Sequence, residues 1–415
     1  MILKETLREV VLSQKEAFDD LELGVEREIV SGISIELQHA LVISGIRRCG
    51  KSTLMHQLSK RIKSFNYLNF EDTRLTGFEL SDFEKLDEIY AEEFGERDFY
   101  LFDEIQNIPG WEIFVRSRLD KKKRFVITGS NASLLSKELG TRLTGRHINV
   151  ELFPFSFKET MTFKKQKCGA SEFGKYLKEG GFPEYLKYKN QEILRELFTD
   201  VIQRDIVARH KIRESKALNE IALYLLTNVG KEFSFNTLKN IFALGSVNTV
   251  SSFISYLEDS YLVFTVPKFD YSLKKQMVNP KKVYSIDNGL CAANSVSFSE
   301  DKGRMLENLA YLVLRRNNKQ IFYFKSENKH ECDFLVKEAA KIKMAIQVCH
   351  ELNEDNKERE LSGLMEALNQ FDLKEGIILT FNQEDELTQN GKKIIMLPLW
   401  KWNDYLASLG PKDRN

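Results

Sequence analysis

Gly45, Gly50, Lys51 and Ser52 have the types and the spacing to hold a row of phosphates. They stand in "GIRRCGKST", which matches G-x-x-x-x-G-K-[ST] and lies between an apolar run, "ALVIS", and an amphipathic one, "KSTLMHQLSKRI". A helix N-terminus presents unpaired N–H groups and the positive end of its dipole. Glycines let the backbone bend around phosphates with no Cβ in the way. The pattern predicts a nucleotide loop of Gly45, Ile46, Arg47, Arg48, Cys49, Gly50, Lys51, Ser52 and Thr53, holding ATP. Lys51 would reach the β- and γ-phosphates and Ser52 would hold Mg²⁺. Cys49, at a helix N-terminus beside Lys51 and near Arg47 and Arg48, is expected to ionise more readily than a free thiol. Its modification would then block ATP; alternatively, cysteine is simply small enough to fit.

A phosphate loop needs a carboxylate partner. About fifty residues on, the apolar run in "RDFYLFDEIQNIPGW" ends in Asp103 and Glu104, the Walker B pattern. Asp103 would orient Mg²⁺ through its water shell, and Glu104 would act as general base on the attacking water. A further strand in "KKKRFVITGSNASLL" ends in Thr128, Ser130 and Asn131. Ser130 or Asn131 would position the water, or alternatively cap a helix. Arg142 and Arg146, in "ELGTRLTGRHINVE", are candidates to stabilise charge on the γ-phosphate, or else surface arginines.

These residues need an α/β scaffold. Buried parallel strands must end at the loop and at Asp103, with helices between them. The chain of 415 residues is long enough for two to four domains, and its 42% hydrophobic and 29% charged composition is that of a globular protein. Zero net charge excludes global attraction to nucleic acid, so any such site is a local patch. The apolar runs are too short or too interrupted to span a bilayer, so no membrane partner is expected. The charged opening "MILKETLREVVLSQKE" has no apolar signal core, and the five cysteines form no C-x-x-C pair. Both point to a reducing cytoplasm.

The stretches "GIRRCGKSTL", "YLFDEIQNIPGWE", "ITGSNASLLSKELGTRLTGRHINVELFPFSFKE" and "GGFPEY" resemble the bacterial and archaeal family of AAA-type ATPases that carry a C-terminal domain of unknown function. "RDIVARHKIR", "LEDSYLVF" and "YSIDNGL" extend the resemblance over nearly the whole chain. It implies an AAA-type core and cytoplasmic ATP hydrolysis, and names no substrate.

The expected organisation is an N-terminal helix and P-loop core over residues 1–165, a helical lid or connector over 166–215, a winged helix-turn-helix over 216–298 and a nuclease-like domain over 299–415. In the winged module, three helices precede two strands around a loop with Lys274, Lys275, Lys281 and Lys282. The third helix offers Ser246, Asn248, Thr249, Ser251 and Ser252 for DNA, and Arg204, Arg209, His210, Lys211 and Arg213 lie upstream. The alternative is a packing module with a solvated wing.

In the last domain, a helix with Glu307, a hairpin with Asp333 and a following strand follow the layout of a restriction-endonuclease-like fold. There two acids bind Mg²⁺ and a lysine assists. Where E-x-K is expected the chain reads Gln347-Val348-Cys349. Cleavage chemistry is therefore expected to be lost, unless Lys325, Lys341 or Lys343 substitutes, leaving a domain that can bind nucleic acid or a protein. The function so indicated is an Mg²⁺-dependent ATPase that couples nucleotide state to a nucleic-acid or protein partner. The rivals are a nucleotide-switched interaction protein with negligible hydrolysis and a DNA-cleaving effector. Neither the oligomeric state nor the pathway is specified.

Overall fold

The computed structural model describes residues 2–130, 143, 145–295, 301–317 and 320–408. The chain divides into two compact units, Met1–Phe155 with Asp259–Tyr261, and Ser156–Glu258 with Leu262 onward.

The first unit is built on a five-stranded parallel sheet, β1 (Ala40–Ser44), β2 (Phe65–Asn69), β3 (Phe99–Asp103), β4 (Arg124–Gly129) and β5 (His147–Glu151), in the order β2-β3-β4-β1-β5. Strand β1 is buried along its whole length, which is why it reads as an uninterrupted apolar run. Helices α1 (Lys4–Asp19), α2 (Lys51–Ser59), α3 (Asp82–Phe94) and α4 (Trp111–Asp120) connect or cover the strands. Helix α1 buries Leu7, Val10, Val11 and Phe18, spaced as one face of a helix. The core on one side of the sheet is aromatic. Phe83 stacks on Phe114 at 4.4 Å, and Tyr100 on Phe125 at 5.0 Å.

His56, on α2, is fully buried edge-on to Phe18, with ring centroids 5.0 Å apart. Burial, and next the charge of Lys60, lowers its pKa from the ordinary value. The unfolded chain therefore takes up a proton at a pH where the folded chain resists it. The stability that neutral His56 contributes is present above about 6.5, the ordinary histidine pKa, and is lost as pH falls through the lower folded value. The expected outcome is a drop in thermal midpoint between about pH 7.5 and 5.5 that is smaller in His56→Leu. Equal drops in the two proteins would remove His56 as the cause.

The second unit opens with helices α5 (Phe157–Lys164), α6 (Ala170–Glu179), α7 (Pro183–Tyr188) and α8 (Glu192–Asp200), the last continuing as a π-helix over Val201–Ala208. Ser156 and Glu159 form a reciprocal capping box that starts α5. Next come α9 (Ser215–Thr227), β6 (Glu232–Phe233), α10 (Phe235–Ile241), α11 (Val247–Asp259), β7 (Val263–Pro267), α12 (Leu273–Val278) and β8 (Lys281–Ser285). The three strands form an antiparallel sheet in the order β6-β8-β7. Ser246 caps α11 by accepting the Thr249 N–H at 3.1 Å.

Helix α13 (Asn288–Asn294) then leads to α14 (Lys302–Asn317) and a six-stranded sheet. Its strands are β9 (Ile321–Lys325), β10 (Glu331–Glu338), β11 (Lys341–Val348), β12 (Glu375–Thr380), β13 (Asp385–Gln389) and β14 (Lys392–Pro398), with α15 (Lys357–Gln370) between β11 and β12 and α16 (Trp402–Ser408) at the end. The order is β13-β14-β12-β11-β10-β9, parallel at β11-β12-β14 and antiparallel elsewhere. Among the described residues no helix is long and apolar enough to cross a membrane.

The "YSIDNGL" stretch is a buried polar joint inside this unit. Asn308 accepts the Ser285 N–H at 2.8 Å and donates to Asn288 at 2.8 Å, while Asn288 donates to the carbonyls of Leu177 and Met305. Asp287 accepts the N–H of Gly181 at 2.6 Å and of Leu290 at 2.9 Å. A Cβ at Gly289 would stand 2.1 Å from the Glu179 carbonyl oxygen, so only glycine fits that crossing.

One expectation about the wing needs correction. The segment between β7 and β8 holds the short helix α12, and Lys281 and Lys282 lie on β8. Lys282 is buried at 2% exposure, because it is ion-paired inside the unit, and is therefore unavailable to a surface partner.

Candidate functional site

The loop after β1 turns into α2 with Gly50 at φ +99°, in the left-handed region that glycine alone enters freely. Gly45 is required for space: a Cβ there would lie 2.2 Å from the Leu152 carbonyl oxygen. That oxygen belongs to the chain leaving β5, which is pinned by the Leu152 N–H on the Ser44 carbonyl at 2.7 Å. The loop is also held from a segment the sequence does not mark. Buried Arg27 donates to the carbonyls of Cys49 at 3.0 Å and Phe153 at 2.6 Å.

Lys51 is nearly buried, and its ammonium bonds the carbonyls of Gly45 at 3.2 Å and Ile46 at 3.3 Å. It also stands 3.5 Å from the Glu104 carboxylate. Arg47 pairs with Glu71 at 3.2 Å, and Arg48 is exposed with φ +63°. Ser52 and Thr53 follow in the first turn of α2, both partly exposed.

Parallel pairing sets Asp103 at the end of β3, where Ser52 at the start of α2 helps to lower the pKa of its carboxyl. Burial, and next the charge of Glu104, pushes the Asp103 carboxyl up to about 6, against the pull of Ser52, Thr128 and Lys51. Burial also pushes Glu104 up, but the Lys51 charge and the hydrogen bond from Gln106 outweigh it and leave its pKa lowered. Glu104 itself has φ +52°, an uncommon backbone for a non-glycine residue and one that recurs at working sites.

Thr128 and Gln106 complete the group. The Thr128 hydroxyl donates to Asp103 and accepts the Glu104 N–H at 3.0 Å, so it holds both Walker B residues at once. Gln106 donates to the Glu104 carboxylate at 2.5 Å. Thr128 was visible at the strand end, but the choice among three polar residues depends on which one faces Asp103. Gln106 gave no sequence signal beyond its position two residues after the acid.

Ser130 follows β4 and is buried, with no hydrogen-bond partner for its hydroxyl among the described residues. Asn131 and Arg142 lie outside the described residues. Arg146 is a correction. It precedes β5 beside Ala40, at the end of the sheet away from the phosphate loop, and its guanidinium pairs with Asp120. Four residue steps of strand, about 13 Å, separate the two ends, so Arg146 does not join this site within the chain. Cys49 is a second correction. Its thiol is fully buried, and that burial raises its pKa although Lys51 and Arg27 pull it down. Desolvation defeats the helix terminus because the sulfur faces the Leu152 carbonyl at 3.5 Å and not the mouth of the loop.

The chemistry of these donors fits a nucleotide with a divalent cation. The backbone curl, one ammonium, one hydroxyl and a buried carboxylate converge at the N-terminus of α2.

Comparison with known proteins gives the family of the chain. Residues 37–161 match the model of an AAA domain, 170–301 that of a domain of unknown function (DUF8612), and 302–401 that of a second (DUF4143). An uncharacterized protein of Methanocaldococcus jannaschii, MJ1544, is 36% identical over 95% of this chain and 95% of its own length. An uncharacterized protein of Haemophilus influenzae is 30% identical over 86% of this chain and 93% of its own. Among solved structures, AMPPCP-bound DnaA from Aquifex aeolicus overlaps 62% of this chain and 89% of that one, at 16% identity and a TM-score of 0.28. Saccharomyces cerevisiae Hsp104 in its casein complex overlaps 66% and 61%, at 12% identity and a TM-score of 0.30. With relatives of 36% and 30% identity matched over most of their length in an archaeon and a bacterium, the chain belongs to the family of AAA-type P-loop ATPases that carry a C-terminal domain of unknown function.

Proposed function

We propose that the protein binds ATP with Mg²⁺ and hydrolyses it at the mouth of α2, and that nucleotide state controls binding of a nucleic-acid or protein partner. The observation that carries this reading is the convergence of Lys51, Ser52, Asp103, Glu104 and Thr128 at one helix N-terminus. Lys51 neutralises the β- and γ-phosphates. Ser52 and Asp103 would hold the cation, which would supply charge neutralisation of the phosphates. Glu104 takes the proton of the water that attacks the γ-phosphorus, and Thr128 fixes the backbone and carboxylate it works beside. In the arrangement described, Glu104 is tied to Lys51 and Gln106; transfer of Lys51 to phosphate frees its carboxylate for water.

The order of α9, β6, α10, α11, β7 and β8 supports a winged helix-turn-helix over 216–298, and that of α14, β9, β10, β11, α15 and β12 supports a restriction-endonuclease-like fold over 299–415, without cleavage. Residues 1–165 then form the ATPase core and 166–215 its connector, in a cytoplasmic protein. DNA is the partner that the winged module suits. Asn248 and Ser252 are exposed on α11, and Lys274 and Lys275 on α12. The C-terminal domain is the place for a protein partner.

Steady-state phosphate release tests the enzyme. Wild type should turn over ATP, and Lys51→Ala should lose binding by roughly ten- to a hundredfold or more, since a hydrogen bond to a charged group contributes about 1.5–3 kcal/mol. Absence of release from wild type would instead favour a nucleotide switch. The DNA reading is tested by salt: affinity should fall steeply with salt, and Lys274→Ala with Lys275→Ala should flatten the slope by about two ions. Failure to shift DNA at low salt, with or without ATP, leaves the protein partner.

A further inference from the structure

The C-terminal half holds a second concentration of buried charge. Its centre is Lys282, on β8. The Lys282 ammonium lies 2.6 Å from Glu331, 2.8 Å from Asp333 and 2.9 Å from Glu307, and the side chain is 2% exposed. Burial opposes its charge, but the carboxylates of Asp333 and Glu307 outweigh it and hold its pKa well above the ordinary value.

The carboxylates have other partners. The Tyr284 hydroxyl donates to the same Glu307 oxygen at 2.7 Å, and the Val348 N–H donates to the second Asp333 oxygen at 2.9 Å. Gln347 spans the Asp333 N–H, which it accepts at 3.2 Å, and Glu360, to which it donates at 2.7 Å.

Glu307, Asp333 and residue 347 are the positions at which a nuclease of this layout would hold Mg²⁺. The residues present do not fit it. Mg²⁺ demands carboxylate oxygens free at about 2.0–2.1 Å in octahedral geometry. Here the inward oxygen of each acid is on Lys282, and the third ligand is a neutral amide used elsewhere. Among the described residues no group of three or more His, Cys, Asp or Glu is arranged to hold a metal.

We propose that Lys282 is the resident cation of this cluster: its ammonium takes the place of a divalent metal between Glu307 and Asp333, and it ties β8 to β10 and α14 as an ionic joint. The proposal rests on the nuclease-like layout of the domain and is independent of the ATPase reading. Glu307 and Asp333 share one cation, and that cation arrives from β8. Lys325, the nearest sequence candidate, pairs instead with Glu232 at 2.6 Å and lies 3.8 Å from Glu331.

The test uses the full chain without nucleotide and terbium(III) as a probe, read by luminescence sensitised through Tyr284, whose hydroxyl is on Glu307. Wild type should show no terbium signal that Asp333→Asn removes. Lys282→Ala should gain one terbium per chain, and adding Asp333→Asn should abolish it. Manganese should raise the thermal midpoint of Lys282→Ala by more than that of wild type, and adding Asp333→Asn should remove the difference. Should Lys282→Ala fail to fold, Lys282→Met combined with Glu307→Gln and Asp333→Asn removes the cation and two of its charges together. That triple variant should recover a folded protein, as buried ion pairs replaced as a set often do. A wild-type terbium signal removed by Asp333→Asn would overturn the proposal, since the metal would then displace the lysine. So would a folded Lys282→Ala that neither gains the ion nor loses stability, or a triple variant no better folded than the single one.

Discussion

Glu104→Gln protein is expected to hold ATP as wild type does and to release phosphate about 10²- to 10⁴-fold more slowly, the range contributed by a positioned general base. The substitution preserves shape and keeps an acceptor for Gln106, while removing the negative charge 3.5 Å from the Lys51 ammonium. Losing that partner leaves Lys51 freer for phosphate, so ATP affinity should stay the same or rise. The measurements are nucleotide affinity by equilibrium titration and phosphate release at saturating ATP. Wild-type turnover in Glu104→Gln would remove Glu104 as the base. Unchanged turnover together with loss of activity in Thr128→Val would transfer the role to the Asp103–Thr128 pair.

Gly45→Ala should damage the nucleotide loop more than any other one-carbon change in it. The new Cβ would meet the Leu152 carbonyl oxygen at 2.2 Å and the Cys49 sulfur at 3.1 Å. The first is backbone held by the hydrogen bond to Ser44, so relief requires β1 and the chain after β5 to part. Overpacking of this kind costs about 1–3 kcal/mol. For a unit of this size that is a fall of roughly 2–12 °C in thermal midpoint, with loss of ATP binding, because the displaced backbone carries the phosphate donors. Gly32→Ala is the control: no atom lies within 4 Å of its added Cβ. Gly50→Ala should fall between the two, strained by φ +99° and 3.4 Å from the Arg27 guanidinium, a side chain able to give. If Gly45→Ala melts with Gly32→Ala and binds ATP, the close approach at Leu152 is not a constraint.

The local chemistry of this protein is written in short stretches of its sequence. Gly45, Gly50, Lys51 and Ser52 form the turn that we propose holds phosphate, and it is legible because a helix N-terminus, a glycine bend and a lysine fall within nine residues of one another. The same holds for Asp103 at the end of a buried apolar strand. What depends on residues far apart in the chain was decided only by the tertiary structure. That Thr128 is the strand-end residue bonded to Asp103 follows from the register of β4 against β3. Arg146 leaves the phosphate site because parallel pairing puts the start of β5 beside Ala40, at the other end of the sheet. Cys49 stays protonated because Leu152, more than a hundred residues on, covers its sulfur. Lys282 looked like one of four wing lysines, and it is buried because three carboxylates from α14 and β10 surround it. Charge and type can be read from the sequence, but whether a charge meets water or a counter-ion is fixed by packing, since desolvation is a property of the surroundings and not of the residue.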